Sequence, residues 1–369
     1  MSLRLLVPQC GRARPPISLV SGVPMFPVKR FLLALTLVCG ALQASAQTAA
    51  SATPPVPVTA DNFVRAESDM EFAAVVKLNG FGRFVHLREL SPINRQIVVR
   101  VNRDTLYSAA VFDLDAGPVT ITLPDAGKRF RSMIVINEDH YAQEVVYDAG
   151  KYTLTKENVG TRYVLATVRT LVDPADPADL RQVHALQDET KVEQPSAGRF
   201  EVPNWDPVSH KKVRDALRVL GSTVPDTRDA FGRKGEVSPI RHLIGAAVLW
   251  GGNPDKDAIY LTVTPPKNDG KTLYKLHVRD VPVDGFWSVT VYNASGYIDP
   301  NPLNAYTINS VVAKKGADGS VDVQFGGCDG KRDNCLPIEP GWNYTVRLYR
   351  PHPEVLERKW DFPKSVPMS

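Results

Sequence analysis

From Asp61 onward, apolar residues recur at helical spacing. Phe63, Met70, Ala74, Leu78, Phe81 and Val85 fall on one face, which predicts a helix with a break at Gly80 and Gly82. The pattern then shortens. Ile97–Val101, Tyr107–Leu114, Val119–Leu123, Arg131–Asn137 and Thr161–Val168 are short runs of β-branched and aromatic residues. Turn signals such as Asp115-Ala-Gly-Pro118 and Pro124-Asp-Ala-Gly127 separate them, and such spacing predicts an antiparallel sandwich or barrel. Three helix starts follow. Asp176-Pro177, Asp206-Pro207 and Ser238-Pro239 each place a capping side chain before a proline at the first helical position. The third helix runs through Leu243 and Ala247 to Trp250 and stops at Gly251-Gly252. Strands return over Ile259–Thr264, Tyr274–Val278, Trp287–Tyr292, Val321–Phe325 and Tyr344–Tyr349, before a Pro-rich tail. The order predicts two β-rich domains joined by a helical segment, without a 20–50-residue repeat.

The segment before this pattern reads as a leader. In MFPVKRFLLALTLVCGALQASA (25–46), Lys29 and Arg30 precede an apolar run from Phe31 to Leu42, and Ala44-Ser45-Ala46 forms a cleavage site. The run is too short to span a bilayer. Cys39 follows Val38 rather than a small residue, which disfavours lipidation. Met25 is read as the true start, since residues 1–24 are proline-punctuated and aperiodic. This predicts a periplasmic or secreted bacterial protein cleaved near Ala46, with a linker over 47–60.

Composition changes little until that leader is set aside. The chain has 369 residues, 43% hydrophobic and 23% charged, which excludes disorder, collagen and coiled coil as whole-chain descriptions. The length favours two domains. All five charged residues of 1–46 are basic, so 44 basic side chains fall to 39 against 40 acidic ones. No basic patch then points to nucleic acid, and no second apolar stretch points to an integral membrane span. Cys10 and Cys39 leave with the leader. The remaining Cys328 and Cys335, in CDGKRDNC, are most simply a disulfide in an oxidising compartment, contributing about 2–3 kcal/mol. Two thiolates without a nearby histidine do not complete a zinc shell, so no metal is assigned.

Common catalytic signatures are missing: there is no GxSxG, HExxH, GxxxxGK[ST] or CxxC. Four constellations remain. Asn102-Arg103-Asp104-Thr105-Leu106-Tyr107-Ser108 is the densest polar cluster at the edge of a β-run. As a clamp, Arg103 would hold a carboxylate or phosphate, with Asp104 or Tyr107 as acid, base or donor. The structural alternative is an Arg–Asp network at a strand junction. Glu138-Asp139-His140-Tyr141 is either a carboxylate–imidazole site or a solvated turn. His242, on the helix after Pro239, is a packing residue or a functional one. Trp287, Tyr292 and Tyr297, with Asn301, Asn304 and Tyr306, suit sugar or polar-organic binding, although Trp287 and Tyr292 also fit an ordinary β core.

NRDTLYS, then GPVTITLPDAGKRF and RSMIVIN, resembles the bacterial domain of unknown function 1254. DGFWSVTVYNASGYIDPNPLNAYTI, with GWNYTVRLYRPHPEVLERKW, resembles its usual C-terminal companion, domain of unknown function 1214. The resemblance covers most of 61–363, with Val101 where the family often has proline before the Asn. It implies two β-sandwich, jelly-roll-like domains and export to the periplasm, and no agreed activity, cofactor or substrate. Its motifs map onto Asn102, Arg103, Asp104, Thr105 and Tyr107, and onto Phe286, Trp287 and Ser288.

The fold class expected is therefore mainly β with helical connectors, in two β-sandwich domains over 61–190 and 258–363 with a helical connector over 191–257. The leading functional expectation is a small polar or carbohydrate-like ligand near the domain junction, with Asn102, Arg103, Asp104, Tyr107, His140, Trp287 and Tyr297 as candidate contacts. A hydrolase pairing Asp104 with Glu138 or Asp139, or using His140 as base, is the second expectation. An envelope structural or assembly role is the third. A homo-oligomer stays open.

Overall fold

The computed structural model describes residues 54–96, 99–224 and 226–368. The leader, the start of the linker and Ile97-Val98 lie outside the described residues. The chain runs through α1 (Phe63–Lys77), β1 (Val85–His86), β2 (Thr105–Asp113), β3 (Val119–Leu123), β4 (Arg131–Asn137), β5 (Ala142–Val146), β6 (Gly150–Leu154), α2 (Lys156–Val159), β7 (Tyr163–Leu171), α3 (Pro177–Asp188) and β8 (Lys191–Glu193). It continues through α4 (Pro207–Gly221), α5 (Pro239–Val248), β9 (Ala258–Val263), β10 (Tyr274–Val278), β11 (Trp287–Tyr292) and β12 (Thr307–Asn309). It closes with β13 (Val321–Phe325), β14 (Cys335–Leu336), β15 (Asn343–Tyr349), α6 (Pro353–Leu356) and β16 (Val366–Pro367).

The protein is mainly β with several sheets. β1-β2-β7-β4-β5 form one antiparallel sheet and β6-β3-β8 another. Their facing side chains, among them Phe112, Ile121, Met133, Val135 and Val164, meet in one apolar cluster. Later in the chain, β12-β11-β15-β9 and β14-β13-β10-β16 share a second cluster that includes Leu276, Val289, Val323, Phe325, Val346 and Leu348. Only the β13–β14 pair is parallel among the described strand pairs of these two sheets. α1, α4 and α5 pack on one another through Phe63, Ala66, Leu217 and Ile244. The described residues form one compact unit.

The helix starts follow from their caps. The Asp176, Asp206 and Ser238 side chains each accept a first-turn amide, and each proline sits where no donor is needed. α1 departs from its expected face. Met70 and Leu78 are exposed, and the buried side carries Phe63, Ala66 and Phe72 together with Glu67, Ser68 and Asp69. Those polar groups find partners on other elements, a rescue that periodicity cannot register. The strand expected over Ile97–Val101 does not form at its described end. Arg100 has φ 54° and donates its amide to Gly296 O at 2.8 Å, making a turn. Cys328 and Cys335 are joined by a disulfide.

Candidate functional site

β11 and β15 alternate with period 2, so each presents two faces. Trp287 and Val289 on β11, and Tyr344, Val346 and Leu348 on β15, enter the apolar cluster. Ser288, Thr290 and Tyr292, opposite Arg347, Thr345 and Asn343, form the other face. β12 extends it with Thr307 and Asn309, and β9 with Tyr260 opposite Arg347. A polar face at the edge of a β domain is ordinarily a solvent face. Here it is buried: Ser288, Thr290, Asn309, Asn343, Thr345 and Arg347 are all 5% exposed or less.

Residues 100–107 cover it, and from Asn102 onward they belong to the NRDTLYS segment. The Arg100 guanidinium donates to Asn343 Oδ1 and Thr345 Oγ1, each at 2.9 Å. Arg347 donates to Arg100 O at 2.8 Å, Tyr292 Oη at 2.6 Å and Thr290 Oγ1 at 3.0 Å. Tyr292 Oη in turn donates to Val101 O at 2.8 Å. Asp104 Oδ1 accepts from Thr307 and Asn309, each at 3.2 Å, while Oδ2 and Ser288 Oγ are buried without a hydrogen-bond partner. The Asn102 amide donates to Tyr107 Oη at 3.1 Å and Tyr349 Oη at 3.2 Å, linking positions 247 residues apart.

The electrostatics are asymmetric. Burial raises the Asp104 carboxyl above its usual range, against the pull of Arg347 and its hydrogen-bond donors. Burial likewise opposes charge on Arg347, but Tyr292, Tyr349 and Asp104 more than compensate and hold it ionised. Arg169, at the end of β7 and opposite Tyr107 in register, is 9% exposed. It donates to Asn253 Oδ1 at 2.7 Å and to Gly251 O at 2.8 Å, and its guanidinium lies 5.7 Å from the Tyr107 ring centroid. Tyr260, Tyr292 and Tyr349 are raised above the ordinary phenol range, in each case first by burial, so their hydroxyls stay protonated.

The candidate residues separate into distinct places. Asn102, Arg103, Asp104 and Tyr107 gather at this seam, where Arg103 donates to Ser91 O and lies 5.4 Å from the Tyr306 ring centroid. Trp287 points the other way, 6% exposed and edge-on to Phe362. Tyr297 is half-buried in a loop and donates its amide to Asn293 Oδ1 at 3.0 Å. Tyr292, Asn301 and Tyr306 do share a cavity, but its volume of about 30 Å³ holds a water rather than a sugar.

His140 belongs to a second buried cluster. Its Nε2 accepts from the Gly251 amide at 2.9 Å, its ring stacks on Trp250 and His242, and burial beside His242 holds it well below the usual imidazole range. Glu138 accepts from the Tyr163 amide at 2.8 Å and faces Arg65, which also pairs with Asp139. Burial raises the neighbouring Asp69 to about 6, although it accepts from Trp205 Nε1 at 2.8 Å. Asp104 therefore has one set of partners and Glu138 and Asp139 another. Among the described residues no group of three or more His, Cys, Asp or Glu side chains is arranged to hold a metal ion. No helix among them is long and apolar enough to cross a membrane.

A larger open cleft, about 550 Å³, lies beside the disulfide loop and is lined by Lys314, Lys315, Lys331 and Arg332. Its aspartates are already engaged: Asp333 pairs with Lys314, and Asp329 accepts the Lys331 and Arg332 amides. Sequence reasoning missed Arg169, Arg347, Tyr260 and Tyr349. A signal was present for two of them, a lone arginine inside each of the otherwise uncharged strands YVLATVRTL and NYTVRLY.

A family model described as protein of unknown function (DUF1254) matches residues 81–194, and one described as protein of unknown function (DUF1214) matches 259–353. The seam thus joins a segment of the first match to the strands of the second. The fold is similar to the crystal structure of the VPA0106 protein from Vibrio parahaemolyticus, with a TM-score of 0.62 at 16% identity over 84% of this chain and 98% of that one. It is also similar to a putative uncharacterized protein from Burkholderia cenocepacia, with a TM-score of 0.50 at 14% identity over 86% and 91% of the two chains. No protein of curated function matches the chain.

Proposed function

The chain carries a DUF1254 domain followed by a DUF1214 domain, and from that premise we propose an exported protein that binds a small polar or carbohydrate-like ligand at the seam between them. The observation that carries the reading is Asn102. Its one amide group reaches the hydroxyls of Tyr107 and Tyr349, so the family motif of the first domain and a strand end of the second meet at one polar point. Asn102 and Tyr107 are only partly buried, which leaves a way in. Buried polar clusters of this size are retained where orientation matters.

We read each pair of sheets with its shared apolar cluster as a jelly-roll-like sandwich, over 61–190 and 258–363, with 191–257 as the connector. Export fits the intramolecular disulfide and the leader pattern of residues 25–46.

The test is thermal unfolding of protein beginning at Gln47 against a broad panel of metabolites and glycans. At least one compound is expected to raise the transition temperature, through binding to the native state alone. The rise should vanish in Asn102→Ala and shrink in Tyr349→Phe, while Arg103→Ala should weaken it through the neighbouring loop. The reading fails if no compound stabilises the protein, or if the two seam variants respond like the parent.

A further inference from the structure

Four guanidinium groups converge on the seam and one carboxylate answers them. Arg100, Arg103, Arg169 and Arg347 stand against Asp104, and Asp104 acts on Arg347. A buried cation is costly unless a counter-charge and hydrogen bonds offset its lost hydration. Partly buried arginines elsewhere in the protein follow that rule. Arg129 pairs with Asp179, Arg162 with Asp113 and Arg214 with Glu67. Arg131, buried outside the seam, also lacks an ion pair; the Pro124 and Tyr147 carbonyls accept from it in the field of Asp125 and Asp148, and its Nε has no partner. Arg169 has only neutral partners, and no carboxylate among the described residues lies within ion-pair distance of it.

The hydroxyls around Arg169 repeat the imbalance. Tyr107 and Tyr349 accept from Asn102, and Tyr260 accepts from the Asn253 amide at 3.3 Å. None of the three phenol hydrogens has an acceptor among the described residues. Each hydroxyl carries one hydrogen to donate, so three donors are unused. A guanidinium without an anion beside three phenols without acceptors is a donor set lacking its acceptor. We propose that the seam binds a small molecule through an oxyanion, a carboxylate or a phosphate, seated between Arg169 and the hydroxyls of Tyr107, Tyr260 and Tyr349. This rests on the ligand-binding reading above and adds the charge of the ligand. It assigns the anchoring role to Arg169 instead of Arg103, whose guanidinium is occupied by Ser91 O and the Tyr306 ring.

The experiment is calorimetric titration and thermal unfolding of the whole mature chain with acetate, D-galacturonate and inorganic phosphate, beside neutral D-galactose, at fixed ionic strength. At least one anion is expected to bind saturably and more tightly than D-galactose. Which anion wins separates a carboxylate from a phosphate ligand. Arg169→Met should weaken that binding by about tenfold to a hundredfold, as for a lost charge-assisted contact. Arg169→Lys should fall between, because it keeps the charge and loses the planar fork. Tyr107→Phe and Tyr349→Phe remove only hydroxyls, so they carry the test if Arg169→Met does not fold, and each should weaken binding several-fold.

The inference is overturned if no anion binds, or if anions bind equally to the parent and the Arg169 and tyrosine variants. Loss of binding in a Lys331→Ala control would place the anion in the cleft beside the disulfide loop and overturn it too. If D-galactose or another neutral compound binds and is lost in Asn102→Ala while anions gain nothing, the seam still binds a ligand and only its charge is wrong.

Discussion

Asp69→Asn should stabilise the protein at pH 8 and do nothing at pH 4. Asp69 lies on the buried side of α1 at 1% exposure, with Oδ2 accepting from Trp205 and Oδ1 lacking a partner. Burial, with Glu138 and Asp139 nearby, lifts its carboxyl from 3.8 to about 6, against the hydrogen bond from Trp205 and the charge of Arg65. At about 1.4 kcal/mol per pH unit, keeping it ionised in the fold costs about 3 kcal/mol. The sign follows from proton counts. Between the two values the native state holds more protons than the unfolded chain, so stability falls as pH rises from about 4 to about 6 and stays low above. An amide removes that penalty, keeps an oxygen for Trp205 and turns an N–H toward acidic neighbours. That penalty is already net of the Trp205 hydrogen bond, so the gain at pH 8 is about 3 kcal/mol, or a few degrees in transition temperature. Urea unfolding of parent and variant at pH 4 and pH 8 measures it. A variant less stable than the parent at pH 8, or a difference of equal size at both pH values, refutes the reasoning.

Other outcomes follow from the same geometry. Gly285→Ala should destabilise the fold by about 2 kcal/mol or more, because a Cβ there would stand 2.6 Å from the Tyr349 carbonyl oxygen and displace the end of β15; chemical denaturation together with Tyr349 chemical shifts would register it. Trp287→Ala should cost about 3–5 kcal/mol by opening a cavity between β11 and Phe362, and should leave the affinity of the folded protein for any seam ligand unchanged, which parallel unfolding and titration would establish. Reduction of Cys328–Cys335 should lower stability by about 2–3 kcal/mol in urea, since the closed loop is short, without altering anion binding at the seam.

Local chemistry in the chain was enough to determine the capped helices and the long strands. Asp176, Asp206 and Ser238 beside prolines start helices wherever the chain goes, because the cap satisfies amides of its own first turn. β-Branched alternation likewise placed the long strands, and the two lone cysteines pair as their spacing indicates. The short strands β1, β12, β14 and β16 carry two or three residues each and exist through their partners, so no local pattern announced them. The Glu67, Ser68 and Asp69 side of α1 looked like a solvent face because its partners lie far along the sequence, Trp205 and Arg214 among them.

The candidate site divides along the same line. NRDTLYS was legible as a polar cluster, and its Asn102 and Tyr107 do meet other polar groups. Its partners were not legible, because a strand's two faces read alike whether water or protein covers the polar one. Only the tertiary structure laid residues 100–107 over Ser288, Thr290, Asn343 and Arg347, and brought Tyr349 to Asn102 and Arg169 to Tyr107. Charge balance is a property of what is near in space, and the excess of guanidinium groups over carboxylates at the seam appears only once the two β-rich halves are folded together.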